Sequence, residues 1–349
     1  MYTIKFGTDG WREIIAKDYT VENVRRVSAG TAQWMANTGA NKKIVLGYDC
    51  RFGGIMFAKA AAEVFVDFGI EVLFADKFVS TPMVSMAANE YSAGLGIVLT
   101  ASHNPASYNG FKLKAAYGGP ASPSDVAEIE TLIPERVEDT ISFEKALSEG
   151  KIRFSSFEDL YFEKAAATFD LDLLRSNGSK FIYDAMYGAG QDVFKRLIPT
   201  ATVLNGTFNP SFNGTAPEPI AKNLKEISNT ISQGDYLCGL ATDGDADRIG
   251  FFDGDGNFVD SHHLILLLMQ YLVSAKGYNG KVVKSFSVSD KIQVLATEMG
   301  LEIITTKIGF KYICTHMVED DVLIGAEESG GIAIKGHIPE RDGIWMGLI

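Results

Sequence analysis

One pattern occurs three times along this chain of 349 residues: a β-rich apolar run, a loop with polar or glycine residues, a helical stretch and a second apolar run. The three copies begin at Ile44, Phe181 and Val282. Strand, helix and strand at this spacing form a βαβ unit, whose crossover helix makes the two strands parallel and covers the sheet. The repeat therefore predicts an α/β protein of three tandem α/β domains of similar topology, each with a mixed sheet and crossover helices.

Polar helical segments between the first two copies set the predicted domain boundaries. Segment 122–133 opens with the capping pattern SPSDVAEIE, and segment 158–174 has the sequence EDLYFEKAAATFDLDLL. The sequence GFFDGDGNFVD from Gly250 predicts a hairpin, because two β runs flank Asp-Gly turn signals. We therefore predict domains at 1–150, 151–254 and 255–349, in line with a chain long enough for two or three domains.

The charge balance restricts the partners. Lys and Arg number 32 against 44 Asp and Glu, so the net charge is -12, and no Lys/Arg run occurs. Because binding to a phosphate backbone needs clustered positive charge, nucleic acid and anionic membranes are excluded as main partners. An anionic substrate would need local cations or a metal ion.

The cysteines and apolar runs bear on the cellular setting. Cys50, Cys238 and Cys314 are odd in number and far apart, which favours neither a disulfide framework nor a zinc pair. A reducing, cytoplasmic setting is the simplest interpretation. The longest apolar run, 264–273, is too short to cross a bilayer and predicts a buried helix. The sequence leaves the oligomeric state open.

The first segment that carries chemistry is LTASHNPASYNGFKLK, residues 99–114, which follows the apolar run GLGIVL. Ser102 is thereby placed at the carboxyl end of a strand, where α/β sheets usually bind ligands. With His103 adjacent and Lys112 ten residues on, its hydroxyl is a candidate nucleophile or phosphoryl carrier. An ordinary loop is the alternative, and a serine hydrolase is disfavoured because no G-x-S-x-G elbow surrounds Ser102.

The second segment is LATDGDADRIGFF, residues 240–252. Asp243, Asp245 and Asp247 converge only if the backbone curls around a centre, and three such close charges require a hard divalent cation. An EF-hand is excluded, because its sixth position would be Arg248 and its twelfth Gly254. An open all-oxygen site suits Mg²⁺, and Arg248 is placed to hold a phosphate. A solvated acidic turn is the alternative, which the flanking apolar strands disfavour.

The third segment is IGAEESGGIAIKGHIPERDG, residues 324–343. Its Glu327 and Ser329 offer acceptors and a donor for sugar hydroxyls, although a surface turn has the same pattern. Two further stretches, FGTDGWRE and TTKIGFKYI, supply Arg12, Lys307 and Lys311 beside glycines. Arg12 and Lys307 are candidate substrate-binding cations, and exposed basic side chains are the alternative.

Taken together, TASHNP, DGDADR, the EESGG loop and FGTDGWR resemble the α-D-phosphohexomutase family, the phosphoglucomutases and phosphomannomutases, in the right order over essentially the whole chain. The resemblance implies the reversible interconversion of hexose 1-phosphate and hexose 6-phosphate. A phosphoserine donates its group to the sugar phosphate, the hexose 1,6-bisphosphate turns over, and its other phosphate returns to the serine. Sugar phosphates are the implied partners, and Mg²⁺ with the bisphosphate are the implied cofactors.

The resemblance also implies roles for the residues. Ser102 would be the phosphoserine, and Asp243, Asp245 and Asp247 would bind Mg²⁺ together with a phosphate oxygen on Ser102. Arg248 would lie against the phosphoserine or the bound sugar phosphate.

Proton transfer and sugar recognition are implied in the same way. Lys112 would be the general base or acid, with His103 assisting. A lysine base near neutral pH needs a lowered pKa. Glu327 and Ser329 would grip the sugar hydroxyls.

One departure from the family concerns its fourth domain, whose R-x-S-G-T-E-P type loop clamps the non-reacting phosphate. The chain corresponds to domains one to three, which predicts weakened substrate binding and low turnover. EESGG is closer to the glucose-type loop than to EMSGH or the EQSGH of phosphoglucosamine enzymes, so glucose phosphate is favoured first and mannose phosphate second. The open alternatives are a Mg²⁺-dependent sugar-phosphate phosphatase and a non-catalytic protein that binds metal or sugar phosphate.

Overall fold

The structure, a computed structural model, describes residues 2–138 and 140–349. The first sheet contains six strands, numbered in chain order: β1 (Trp11–Ile14), β2 (Lys43–Tyr48), β3 (Glu71–Ala75), β4 (Leu95–Leu99), β5 (Tyr108–Ala115) and β6 (Ile152–Ser155). They are arranged as β1-β5-β4-β2-β3-β6. β2, β3, β4 and β6 run parallel, whereas β5 is antiparallel to β4 and to β1.

The second and third sheets are smaller. The second contains β7 (Phe181–Asp184), β8 (Thr202–Leu204), β9 (Cys238–Thr242), β10 (Ile249–Phe252) and β11 (Phe258–Val259), arranged β11-β10-β9-β7-β8. The third contains β12 (Lys281–Ser285), β13 (Ile303–Thr306), β14 (Val322–Ala326) and β15 (Ile332–Ile334), arranged β13-β12-β14-β15. We call the parts of the chain that carry the three sheets domains I, II and III.

The three sheets share one arrangement. In each, the first strand of a βαβ unit lies between two parallel neighbours, β3-β2-β4, β8-β7-β9 and β13-β12-β14. The next strand then pairs antiparallel with the last of the trio. The predicted fold of three tandem α/β domains with mixed sheets and similar topology is confirmed. β6 pairs with β3 although it lies beyond residue 150, and the boundaries at 150 and 254 stay predictions.

Thirteen α-helices lie within the described residues. They are α1 (Val21–Thr38), α2 (Gly54–Asp67), α3 (Thr81–Glu90), α4 (Pro123–Leu132), α5 (Phe143–Ser148), α6 (Phe157–Thr168), α7 (Leu171–Ser176), α8 (Gln191–Leu197), α9 (Lys225–Ser232), α10 (Ser261–Ser274), α11 (Lys291–Glu298), α12 (Phe310–Glu319) and α13 (Gly343–Leu348). α2, α8 and α11 are the crossover helices of the three βαβ units. None of these helices is both long and apolar enough to pass through a lipid bilayer.

Two helical predictions need correction in detail. The segment 158–174 forms two helices, because Phe169 is extended and the Asp170 side chain caps α7 by accepting from Leu173 N. The apolar run 264–273 is helical as predicted, but only one face of α10 is buried. Leu267 on the other face is 56% exposed.

The domains share a continuous apolar core. One cluster joins Val45 of domain I, Tyr183 of domain II and Leu323 of domain III. Helix α6 contributes a polar contact to this junction, because the buried Tyr161 hydroxyl lies 2.9 Å from both carboxylate oxygens of Asp342, just before α13. This packing brings loops from all three sheets to one place.

The Tyr161 contact predicts the strength of this junction. We expect Tyr161→Phe to lower the free energy of unfolding by about 1–3 kcal/mol, because the buried Asp342 carboxylate loses a donor. Urea unfolding followed by circular dichroism measures the change. Tyr91→Phe is the matched control, since the Tyr91 hydroxyl meets a partly buried Ser155 at 3.3 Å. Equal stability of Tyr161→Phe and the wild type would contradict the prediction.

Candidate active site

The loop after β4 places Ser102 at the junction of domains I and II. Ser102 is fully buried and has a φ of 53°, a left-handed conformation that few non-glycine residues adopt. Its N–H donates to Thr100 Oγ1 at 2.9 Å. Its hydroxyl donates to Asp243 Oδ2 of domain II at 2.6 Å. The predicted phosphoryl carrier and the first predicted metal ligand are therefore in direct contact.

A buried ion pair just after β2 holds this loop. Asp49 Oδ2 accepts from Arg51 Nε at 3.1 Å and from Thr100 Oγ1 at 2.6 Å, and neither charged side chain is exposed. The Arg51 guanidinium also donates to four backbone carbonyls, three in the loop, of Ser102, Asn104 and Pro105, and one at the start of β5, of Tyr108. Arg51 thus fixes the loop backbone from Ser102 onwards.

The loop between β9 and β10 curls as its sequence requires. Ala246 has a φ of 57°, and the oxygens of Asp243, Asp245 and Asp247 lie within 4.8 Å of one another. All three carboxylates are fully buried. Asp243 Oδ1 accepts from the backbone N–H groups of Asp247 at 3.0 Å and Arg248 at 3.2 Å, which closes the turn.

The triad has the chemistry of a hard divalent cation site. Asp245 Oδ1 and Asp247 Oδ1 are buried without a hydrogen-bond partner among the described residues, which is costly for carboxylates unless a cation is bound. Burial and the charges of Asp245 and Asp247 raise the pKa of Asp243 well above its usual range. Three buried carboxylates next to a serine hydroxyl fit Mg²⁺, which prefers oxygen ligands and leaves room for a phosphate oxygen.

Lys112 on β5 extends into the same cluster. Its ammonium lies 2.7 Å from Asp245 Oδ2, 2.9 Å from Asp247 Oδ2 and 2.7 Å from Asp9 Oδ2. Burial alone lowers the pKa of Lys112, but the three carboxylates outweigh it and raise this pKa above its ordinary value. The shift is opposite to the one that a lysine base requires.

The pKa of His103 is shifted in the opposite direction, towards the uncharged form. Its Nδ1 lies 3.3 Å from Ser102 Oγ. Burial, followed by the positive charges of Arg248 and Arg12, lowers the pKa of His103 to about 3. Arg12 also donates to Asn104 Oδ1 at 3.0 Å. The neutral imidazole is therefore close to two cations that the sequence predicted as substrate-binding.

Domain III supplies the predicted sugar-recognition loop between β14 and β15. Glu327 is buried, and its Oε1 accepts from Gly309 N at 2.8 Å, while Ser329 is half-buried on the same loop. Lys307 is not brought into the buried charge cluster: it is exposed, with its ammonium 5.6 Å from the Tyr312 ring centre. Lys311 instead donates to Gly7 O of domain I at 3.4 Å.

Arg341 of domain III, which the sequence did not single out, joins all three domains. Its Nη2 lies 2.6 Å from Asp9 Oδ2 of domain I and 2.7 Å from Asp247 Oδ2 of domain II. Its Nη1 lies 3.8 Å from Glu327 Oε2. Gly331 leaves room for it, since a Cβ there would lie 2.5 Å from Arg341 Cδ.

Other missed residues had a signal in the sequence. Asp49 and Arg51 directly follow β2, the parallel neighbour of β4, so their side chains start at the same sheet edge as Ser102. The sequence gives a weaker indication for Arg341 and Asp9, because a charged residue close to a glycine is a common pattern. Their partners are distant in sequence, and only the packed domains bring them together.

A three-domain α/β protein with a buried carboxylate site at the domain junction is the class that this fold and site define. Three family models match it: Phosphoglucomutase/phosphomannomutase, alpha/beta/alpha domain I over residues 3–139, domain II over 159–256 and domain III over 260–349. The chain belongs to this family, the phosphohexomutases, and the resemblance found in the sequence is confirmed.

Individual relatives cover the chain almost completely. It is 30% identical over 344 residues to a phosphoglucosamine/phosphogalactosamine mutase of Sulfurisphaera tokodaii, covering 97% of this chain and 74% of the relative. It is 31% identical over 352 residues to a phosphoglucosamine mutase of Thermoanaerobacter sp., covering 97% and 75%. A crystal structure of a putative phosphomannomutase from Thermus thermophilus superimposes with a TM-score of 0.92, at 33% identity, covering 99% and 79%. These relatives support phosphohexomutase activity.

The buried Arg51–Asp49 pair predicts a large stability effect. We expect Arg51→Met to lower the free energy of unfolding by about 3–5 kcal/mol, because it leaves Asp49 buried without its cation. Denaturant unfolding measures the loss. Arg25→Met is the control: it removes a more exposed pair with Glu63, worth about 0–1 kcal/mol. Similar losses in the two variants would contradict the account.

The environment of His103 predicts its protonation state. Because its folded pKa lies near 3, the imidazole stays neutral as the pH falls from 8 to 5. NMR of ¹⁵N-labelled histidine, assigned with His103→Asn, should show no titration of this ring in that range. In urea-unfolded protein the same ring should titrate with a pKa of about 6.5. A folded-state midpoint close to that unfolded value would contradict the prediction.

Proposed function

We propose that this protein interconverts hexose 1-phosphate and hexose 6-phosphate through a phosphoserine at Ser102 and a hexose 1,6-bisphosphate intermediate. The observation that carries the proposal is the 2.6 Å contact between Ser102 Oγ of domain I and Asp243 of domain II. It joins a loop hydroxyl, a group that can carry a phosphoryl, to a cluster of carboxylates suited to a cation. Family membership supports the same reaction class.

The phosphoryl group moves in two steps whose bonds balance. The bond between Ser102 Oγ and phosphorus breaks as the free sugar hydroxyl bonds to that phosphorus, and the proton that the hydroxyl loses ends on Ser102 Oγ. In the return step the bond between the phosphorus of the other phosphate and its sugar oxygen breaks as that phosphorus bonds to Ser102 Oγ, and the serine proton ends on the sugar oxygen. Asp243, Asp245 and Asp247 would hold Mg²⁺, which when bound neutralises charge on the transferred group.

Proton transfer is assigned from geometry and charge. His103 Nδ1 lies 3.3 Å from Ser102 Oγ, so the imidazole is placed to exchange the proton that this oxygen gains when the phosphoryl group leaves and loses when it returns. Lys112 keeps its proton among the carboxylates and contributes positive charge. Arg12 and Arg248 lie near the imidazole and bind phosphate oxygens. Lys307 has the weakest support as a substrate ligand, because it is exposed outside this cluster.

Transfer to a sugar is favoured over release of inorganic phosphate. Family membership supports transfer to a sugar, because the three models that match the chain are those of phosphoglucomutases and phosphomannomutases. A sugar-phosphate phosphatase would share the Ser102 loop, the aspartate triad and a sugar-binding loop, so the product formed distinguishes the two reactions.

The preferred sugar rests on two signals that differ. The EESGG loop favours glucose, with mannose second, but it spans only five residues. The two curated relatives described above match nearly the whole chain and are named for glucosamine phosphate, whereas the Thermus thermophilus structure is named as a phosphomannomutase. We therefore propose glucosamine phosphate as the preferred substrate, with glucose phosphate next and mannose phosphate third.

The reaction predicts a specific product pattern. ³¹P NMR of the protein with Mg²⁺, a trace of the matching 1,6-bisphosphate and each 1-phosphate in turn should show 6-phosphate and little inorganic phosphate. Ser102→Ala should abolish this conversion, because no carrier remains. Ser28→Ala is the matched control, since it removes a buried serine hydroxyl that bonds Val24 O within α1. Conversion by Ser102→Ala, or phosphate as the main product, would contradict the proposal.

A further inference from the structure

The start of α3 in domain I makes two bonds to a single residue of the metal loop. Ser80 caps the helix by accepting from Met83 N at 3.3 Å. Thr81 is the first helical residue, so its N–H has no partner within the helix. That N–H donates to Asp245 O at 2.9 Å, and the Thr81 hydroxyl donates to Asp245 Oδ2. Thr81 is fully buried.

The two oxygens of the Asp245 carboxylate have different hydrogen-bond partners. Oδ2 accepts from the Thr81 hydroxyl and from Lys112 Nζ at 2.7 Å. Oδ1 is buried and accepts from no group in the part of the chain that the structure describes. With its donors gathered on one oxygen, the carboxylate has a fixed rotamer and keeps the other oxygen free for a ligand.

We infer that Thr81 is a positioning residue for the cation site, which holds Asp245 so that Oδ1 is available to bind the ion. Thr81 acts through Asp245 and is not itself a ligand of the ion. The inference rests on the proposed function, because it presupposes a divalent cation at the aspartate triad. Groups that hydrogen-bond a ligating carboxylate typically contribute about 10–100-fold to metal affinity.

The inference makes cation binding a property of two domains. Asp245 belongs to domain II, whereas Thr81 and Ser102, both bonded to the triad, belong to domain I. A cation at the triad therefore strengthens the contact between the two domains, and loosening that contact weakens the site. The backbone bond from Thr81 N to Asp245 O does not depend on the side chain, so a side-chain variant tests the hydroxyl alone.

The test uses Mn²⁺ as the probe, with free Mn²⁺ measured by electron paramagnetic resonance. Thr81→Val should bind Mn²⁺ about 10–100-fold more weakly, because it keeps the shape but loses the donor. Thr81→Ser, which retains the donor, should bind nearly as tightly as the wild type. Thr31→Val is the matched control: it removes a buried hydroxyl that bonds Val27 O within α1, and its affinity should not change.

Mutase kinetics add a second readout. The loss in Thr81→Val should appear as a higher Mg²⁺ requirement that saturating Mg²⁺ restores, whereas a general structural defect would persist at any Mg²⁺ concentration. Folding is checked by circular dichroism. If Thr81→Val does not fold, Thr81→Ala takes its place with the same expected loss.

The outcomes separate the inference from the proposed function. Wild-type Mn²⁺ affinity in folded Thr81→Val or Thr81→Ala would overturn the role of Thr81 and leave the cation site intact. A loss of Mn²⁺ affinity in Thr81→Ser as large as that in Thr81→Val would also overturn the role of Thr81. Absence of a saturable Mn²⁺ site in the wild type, or its persistence in Asp243→Asn, would overturn the proposed cation site itself, and the inference with it.

Discussion

The arrangement of this protein depends on the neutralisation of carboxylates buried where its three domains meet. Asp245 and Asp247 of domain II are fully buried and Asp9 of domain I is half-buried beside them, and the two buried charges would be costly without partners. Lys112 of domain I bonds all three, and Arg341 of domain III contacts Asp9 and Asp247. Because the carboxylates of domain II are paired with cations from domains I and III, the burial of Asp245 and Asp247 is compensated only where the three domains pack together.

The same requirement explains why the candidate chemistry lies at this junction. The carboxyl ends of β4 and β9 bring Ser102 and Asp243 together, and a phosphoryl group on Ser102 would add negative charge to a place already rich in carboxylates. Buried cations and a divalent ion are the means by which such a site tolerates that charge. The domain packing, the loop of Ser102 and the cation site are thus parts of one electrostatic arrangement.

The sequence predicted what is local. The three βαβ units, the hairpin after Gly250 and the curled aspartate loop all follow from short-range patterns, and each lies where it was predicted. The sequence did not predict which distant residues come into contact. Arg341 reaches Asp9 across almost the whole chain, and Thr81 reaches Asp245 in another domain. The break between α6 and α7 could have been predicted from the sequence, because Asp170 lies inside the helical pattern and aspartate is a favoured N-cap residue.

The central claim is that Ser102 carries a phosphoryl group that it exchanges with a sugar bisphosphate. Peptide mass spectrometry tests it most directly, before and after incubation with Mg²⁺ and hexose 1,6-bisphosphate bearing ¹⁸O-labelled phosphates, with Ser102→Ala as the control. The account predicts phosphate on Ser102 alone, with the label appearing after incubation. An unmodified Ser102 under both conditions, or label on another residue in the wild type, would contradict it.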